Sequence, residues 1–376
     1  MPVTLLRAAV LVVLAGSAAA CASLAPATET EPVSRPDPVP VEVAPAPTVL
    51  VPSQAELRVA ETVELSGREL GLMWTFENPP LDYWSERYEF EPTPEWLERV
   101  RLASVRYGEY CSGSFVSASG LVMTNHHCAR ECIEANSTAE ADYIERGFYA
   151  PSRSRELECP GLSLDQLVNI EDVTNRVHQA GPRTGDPVQV GERRAAEIEG
   201  IESECAERTE HTCEVVALYH GARYHLYEYR RFSPVKLVFA PELQAGFFGG
   251  DPDNFTYPRY ALDVSFVRAY EAGGERPART GDHYFSWDSD GAAEDELIFI
   301  TGNPGTTSRI ITVAQLFYEQ EYRHPFLIQL LEGQRALLRD VAAAGPESEQ
   351  EVRQDLFEVE NSLKAYRGQY AGLLDT

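Results

Sequence analysis

Positive charge is scarce in this sequence. Its 376 residues carry 32 Lys plus Arg against 59 Asp plus Glu, a formal net charge of −27. Neutralising phosphates takes a cationic surface, so nucleic acid is excluded as a partner. Long apolar runs are lacking too: none reaches the ~20 residues that a membrane-spanning helix needs. No period repeats along the chain, which excludes solenoids, coiled-coil rods and collagen. What is present suits a globular protein, with hydrophobic residues at 43% and charged residues at 24%. A disordered chain would be poorer in apolar residues. The length fits two domains or one large one.

The amino terminus reads as an address. Arg7 precedes an apolar run from Ala8 to Ala15, followed by small residues and Cys21. A positive region, a short apolar core and a small-residue cleavage site make an export signal. Gly16-Ser17-Ala18-Ala19-Ala20-Cys21 resembles a lipoprotein processing site, with Ala18 where Leu is usual. Residues 1–21 are then the signal and Cys21 carries lipid; ordinary cleavage nearby is the alternative. Eight of the 25 prolines fall between Pro26 and Pro52. Residues 22–57 are therefore expected to be an extended linker that tethers a domain to a membrane surface. Either processing route puts the mature chain in the periplasm or on the outer membrane of a bacterial envelope, where thiols oxidise.

The cysteines fit that compartment. There are seven, an odd count, and setting Cys21 aside for lipid leaves six able to form disulfides. These are Cys111, Cys128, Cys132, Cys159, Cys205 and Cys213. Cys205 and Cys213 are close enough for a local bridge, and counting alone does not pair the other four.

The middle of the chain predicts β structure and its end predicts helix. Val215–Leu218, Val235–Phe239, Val264–Val267 and Leu297–Ile300 are short apolar runs between turn signals, the pattern of a barrel or sandwich. A charged stretch from Gly191 to Glu204 predicts an inserted helix. After Gly302-Asn303-Pro304-Gly305 the period becomes helical, with a break near Pro325. Val352, Leu356, Val359, Leu363, Tyr366, Tyr370 and Leu373 step by 4 and 3 in alternation, an a/d seam that wants a partner helix. That partner lies within a longer chain or in a second copy, so a homodimer is one expectation. Without a capping exit after the seam, either the helix is terminal or the gene product continues beyond Thr376, and the uncapped seam favours the second expectation.

The densest constellation runs from Cys111 to Cys128. It reads as a hairpin: a strand from Cys111, a turn at Ser119-Gly120, and a second strand ending at Thr124. His127 is expected on a loop just beyond, with Cys128 reaching back to Cys111. Such a bridge closes a loop of roughly 17 residues, which stabilises by ~3 kcal/mol through chain entropy. It would also lock the loop that presents the imidazole, as a general base requires.

This layout resembles chymotrypsin-like serine proteases, in which the catalytic His is followed by Cys. The stretch Phe247-Phe248-Gly249-Gly250-Asp251-Pro252-Asp253-Asn254-Phe255 through Phe266 narrows the resemblance to the dipeptidyl-peptidase VII family of bacterial serine exopeptidases. Gly71–Phe76, Glu95-Trp96-Leu97, Ile170–Thr174 and Gly302–Arg309 match that family in the same order. The resemblance implies a mainly β fold with added α: a chymotrypsin-like β-barrel over residues 58–300, then the start of an all-helical domain over 301–376. It implies that His127 is the general base, with His126 a structural neighbour. Asp263 orients the imidazole, as the third member of a triad does. Asn254 binds the free α-amino group of a peptide substrate and Phe255, where the family commonly has Trp, walls the site. The implied reaction releases dipeptides and needs no cofactor.

One part of that pattern is missing. The family's nucleophile lies in a Gly-x-Ser-Gly-like segment, and no such segment occurs here. The second barrel is absent with it. The chain is therefore expected to be a fragment that is inactive as given. A zinc site from His126, His127, Cys128 and Cys132 is a rival reading. Adjacent ligands make poor geometry, and no metal is the expectation. A non-catalytic module that holds peptide amino termini at the envelope is the third reading.

Overall fold

The computed structural model describes residues 73–138, 140–181, 186–247, 256, 260–303 and 311–375. The signal, Cys21, the linker, Asp251, Asp253, Asn254 and Phe255 lie outside them.

Helices α1 (Leu81–Tyr88) and α2 (Pro94–Ala103) lead into the sheet. The start of α2 follows from its sequence: Pro94 suits the first turn and the Thr93 side chain accepts the Trp96 N–H. Ten strands follow: β1 (Ser104–Tyr107), β2 (Cys111–Phe115), β3 (Leu121–Thr124), β4 (Phe148–Tyr149), β5 (Leu157–Glu158), β6 (Leu164–Asp172), β7 (Thr212–Leu218), β8 (Arg223–Phe232), β9 (Val235–Ala240) and β10 (Ser265–Ala269). Helices α3 (His126–Ala135) and α4 (Tyr143–Arg146) follow β3. Helices α5 (Thr174–Ala180) and α6 (Pro187–Thr209) lie between β6 and β7, and α7 (Leu243–Gly246) follows β9. The inserted helix expected over 191–204 is α6, several residues longer at each end.

All strand pairings are antiparallel, in the order β4-β9-β10-β3-β2-β1-β6-β8-β7 with β5 also on β9. The expected closed barrel is not what forms. Among the described residues the sheet is open, with β4 and β7 at its two ends. The register offers a reason. Between Leu167 and Asn169 the β6–β8 ladder shifts, with an extra residue on β6. A bulge adds twist and redirects a strand. Residues 164–167 of β6 are buried, whereas residues 168–172 are partly or fully exposed. Beyond the bulge, β6, β8 and β7 form a ribbon with a separate small core of Val173, Val177, Ile201, Cys205 and Leu226 beneath α5 and α6. The main core lies under β2, β3, β9, β10 and α3, built on Phe115, Val122, Ile133, Leu237 and Val267.

Leu297–Ile300, expected as a strand, joins no ladder among the described residues. Phe299 is drawn instead into an aromatic cluster, with ring centroids 4.9 Å from Trp84, 5.3 Å from Phe90 and 5.5 Å from Trp96.

The carboxyl-terminal region is helical: α8 (Val313–Tyr318), one π turn (Glu319–Arg323), α9 (His324–Ala342) and α10 (Pro346–Leu374). Pro325 stands in the first turn of α9, at the expected break. The a/d seam of α10 finds its partner inside the chain. Val352 and Leu363 are buried, Tyr366 and Tyr370 pack on the His324 ring, and buried Glu360 pairs with Arg339.

Candidate active site

His127 sits in the first turn of a helix, not on a loop. Asn125 is extended (φ −76°, ψ 151°) at the position that starts α3. The helix formers from Ala129 to Ala135 carry the turn onward from there. Ahead of it, the β2–β3 hairpin turns at Gly120 (φ +70°), where a Cβ would lie 2.8 Å from the Ala269 carbonyl oxygen. Only glycine fits there. Two disulfides fasten α3. Cys128 bridges to Cys111 at the start of β2, and Cys132 bridges to Cys159 just after β5. The first is the bridge the hairpin predicted. The third, Cys205–Cys213, is the local one.

Asp263 reaches this helix through sheet register. Strand β10 pairs with β3 so that Ser265 faces Thr124. Two residues before Ser265, the antiparallel direction brings Asp263 level with the first turn of α3. Asp263 thus lies two residues ahead of β10. Its Oδ2 is 2.7 Å from His127 Nδ1, and its Oδ1 accepts the His127 backbone N–H at 3.0 Å. The Asn125 amide donates to the Asp263 carbonyl oxygen at 3.1 Å and to Oδ2 at 3.3 Å. Burial pushes the Asp263 carboxyl up, but the bonds from the His127 ring and backbone and the two nearby imidazoles outweigh it. The net effect holds the carboxyl below the ordinary range. Asp263 is therefore an anion at neutral pH. The His127 side chain is 50% exposed, and with Nδ1 engaged its Nε2 edge is left for chemistry.

His126, its neighbour, does the opposite. It is 0% exposed, and neither ring nitrogen has a partner among the described residues. Gly246 packs on its ring so closely that a Cβ would stand 2.7 Å from two ring atoms. Burial, then the charge of Arg130, pulls the His126 pKa down to about 4 against the opposing Asp263 carboxylate. This imidazole is a neutral wedge beneath the site, as a structural neighbour should be. Arg130, one turn after His127, lies between the Phe247 and Phe357 rings at 5.3 and 4.5 Å from their centroids. It ties α3 to α10.

The zinc reading loses its sulfur ligands. Cys128 and Cys132 are both bonded to other cysteines. Cys111, His127 and Cys128 come within 4.8 Å of one another, but two of those atoms form a disulfide, which has no thiolate to offer a metal. No serine hydroxyl among the described residues is hydrogen-bonded to His127. Ser112 Oγ instead accepts the Asn303 N–H at 2.7 Å, pinning the segment after Phe299 to β2. Sequence reasoning gave no role to Asn125 or Arg130. The signal for the first was an Asn at a helix start, which reads equally well as an ordinary cap.

Residues 69–376 match the family described as peptidase S46. The chain is 31% identical over 226 residues to the Asp/Glu-specific dipeptidyl-peptidase of Shewanella putrefaciens, covering 57% of this chain and 30% of that protein. It is 36% identical over 223 residues to dipeptidyl-peptidase 7 of Porphyromonas gingivalis, covering 57% and 31%. It thus matches about a third of the length of these relatives. The crystal structure of Porphyromonas endodontalis DPP11 is similar over 72% of this chain and 40% of that one, at 28% identity and a TM-score of 0.59. The same protein in complex with the dipeptide Arg-Glu is similar over 81% and 44%, at 23% identity and a TM-score of 0.60.

Proposed function

Because the chain belongs to the peptidase S46 family, we propose that it carries the general base and the orienting carboxylate of a serine-type dipeptidyl-peptidase. The observation that carries this reading is the pair of hydrogen bonds that Asp263 accepts from the His127 ring and backbone, at 2.7 and 3.0 Å. An ionised carboxylate at Nδ1 fixes the tautomer in which Nε2 is the base. His127 Nε2 takes the proton of a serine hydroxyl, and the oxygen attacks the second peptide bond from a free amino terminus. Nε2 then protonates the leaving amine. Water, deprotonated in the same way, releases the dipeptide from the acyl-enzyme. Asp263 stabilises the imidazolium in both halves.

The serine belongs to a Gly-x-Ser-Gly segment outside these 376 residues. The open sheet is then the counterpart of the first barrel of a chymotrypsin-like pair. Asn254 binds the substrate amine and Phe255 walls the site, nine and eight residues ahead of Asp263. Peptide substrates are supported by the names of the relatives and by the DPP11 complex with Arg-Glu. The export signal and three disulfides favour action in the periplasm or on the outer membrane, with Cys21 as the lipid anchor.

A dipeptidyl fluorogenic amide tests the reading. The 376-residue chain alone should release no fluorophore above background, since loss of the nucleophile costs about 10⁶ in kcat in one well-characterised serine protease. The protein extended by its serine-bearing segment should cleave the free-amino substrate and leave its acetylated form intact. Asp263→Asn in that protein should lower kcat about 10⁴-fold. Robust turnover by the 376-residue chain would refute the reading.

A further inference from the structure

We infer that Asn125 is a positioning residue for Asp263 rather than a helix cap. The inference rests on the reading of His127 and Asp263 as a catalytic pair and adds a third member to it. Asn at the residue before a helix normally turns its side-chain oxygen inward to accept a first-turn N–H. Asn125 has the extended backbone of a cap, yet its side chain makes no capping bond. The first-turn N–H of His127, which such a cap could take, is given to Asp263 Oδ1 at 3.0 Å. Asp263, 136 residues away in the chain, caps the helix in its place. The Asn125 amide is turned outward onto Asp263, 3.1 Å from its carbonyl oxygen and 3.3 Å from Oδ2. Both of those atoms accept and neither donates, so the amide nitrogen and not its oxygen must face them.

The exchange has a consequence for the carboxylate. Oδ1 is held by the helix backbone, Oδ2 is shared between the imidazole and the amide, and the Asp263 backbone is pinned by the same amide. A carboxylate rotates freely about its last torsion unless its oxygens are separately held. Here each oxygen has its own donor, and the first-turn N–H with the positive end of α3 favours the negative charge. Asn125 thereby holds Oδ2 at His127 Nδ1.

Two substitutions separate positioning from capping. Ser and Asp cap helices about as well as Asn, but Ser lacks the amide and Asp would set a second carboxylate against Asp263. The readout is the His127 Nδ1–H proton resonance in the ¹⁵N-histidine-labelled 376-residue chain, with thermal unfolding followed in parallel. Wild type should show a downfield, slowly exchanging Nδ1–H. Asn125→Ser and Asn125→Asp should lose it while helical signal is retained, and Asn125→Asp should recover it in part on acidification. A resonance that survives unchanged in Asn125→Ser would overturn the positioning role. The Asp263→Asn chain is the control for the underlying pair: if it keeps the resonance, the pair itself is wrong, a failure distinct from that of Asn125.

Discussion

The two ends of the sheet are built differently. At one end β2, β3, β9, β10 and α3 share a continuous core, and two disulfides hold a ten-residue helix. At the other end the β6–β8–β7 ribbon has a small core of its own, one disulfide, and surface ion pairs such as Arg176 with Glu197 and Glu204. The contrast teaches where geometry is held tightly. A hydrogen bond of 2.7 Å between side chains 136 residues apart persists only if both backbones are immobile. Close packing and covalent closure supply that; exposed charges do not.

The sharpest way to break this contrast is to cut each core. Phe115 is 0% exposed and packs edge-on against Phe232 with centroids 5.6 Å apart. Phe115→Ala should cost about 3–5 kcal/mol, measured by chemical denaturation, and should also disturb the His127 signal. Leu226→Ala in the ribbon core should cost nearer 2 kcal/mol and leave that signal alone. Equal effects on His127 would erase the distinction between the two ends.

Disulfide removal sharpens it further. Replacing Cys111 and Cys128 by Ser opens a 17-residue separation, and replacing Cys205 and Cys213 opens one of 8. Loop-closure entropy gives about 3 kcal/mol for the first and about 2.5 kcal/mol for the second. Stability differs little between them, so the discriminating measurement is the His127 Nδ1–H resonance, which only the first pair should weaken.

Acid titration in the upper acid range probes the site end through His126, whereas ribbon carboxylates with lowered values, Asp172 and Glu204, respond only at more acidic pH. His126 is depressed from 6.5 to about 4 in the folded chain. The unfolded chain takes up its proton first, so stability should fall as pH drops from about 6.5 to about 4, then level off for this group. A shift of this size corresponds to about 3 kcal/mol at most. Below that window Asp263, whose folded pKa is lowered, adds a further loss: its contribution is complete above the unfolded carboxyl value and disappears as pH falls through the folded one. Replacing His126 by Phe should flatten the upper window in a plot of unfolding free energy against pH. The smallest effect belongs to the ribbon surface: Arg176→Ala should be indistinguishable from wild type in thermal unfolding, because exposed pairs are screened and lose side-chain entropy on forming.

Much of the site end was legible because its signals are local. Cys111, the Ser119-Gly120 turn and Thr124 lie in one hairpin, where alternation and turn chemistry act over a few residues. The bridge to Cys128 follows from that hairpin, and the α10 seam follows from a period of 3.5. The helical setting of His127 was missed because His-His-Cys is a poor helix start by composition; the Asp263 carboxylate that caps it comes from a distant segment. The barrel expectation failed at the Leu167–Asn169 register shift, where a bulge leaves no composition signature. Leu297–Ile300 has the pattern of a strand, yet Phe299 packs into the cluster of Trp84, Phe90 and Trp96 and the segment joins no ladder among the described residues.

By itself the sequence determined the hairpin, the helical carboxyl-terminal region and the identity of the two residues proposed as base and orienting carboxylate. All of these rest on short-range periodicity, on turn residues, or on motifs matched in order. Only the tertiary structure decided that the sheet is open among the described residues, that the α10 seam packs on α9, that one of two adjacent histidines is buried and the other exposed, and that Asn125 turns to Asp263. Each of these depends on which distant backbone arrives at a given place. That is decided by register and packing summed over the whole chain, and no local stretch of residues encodes it.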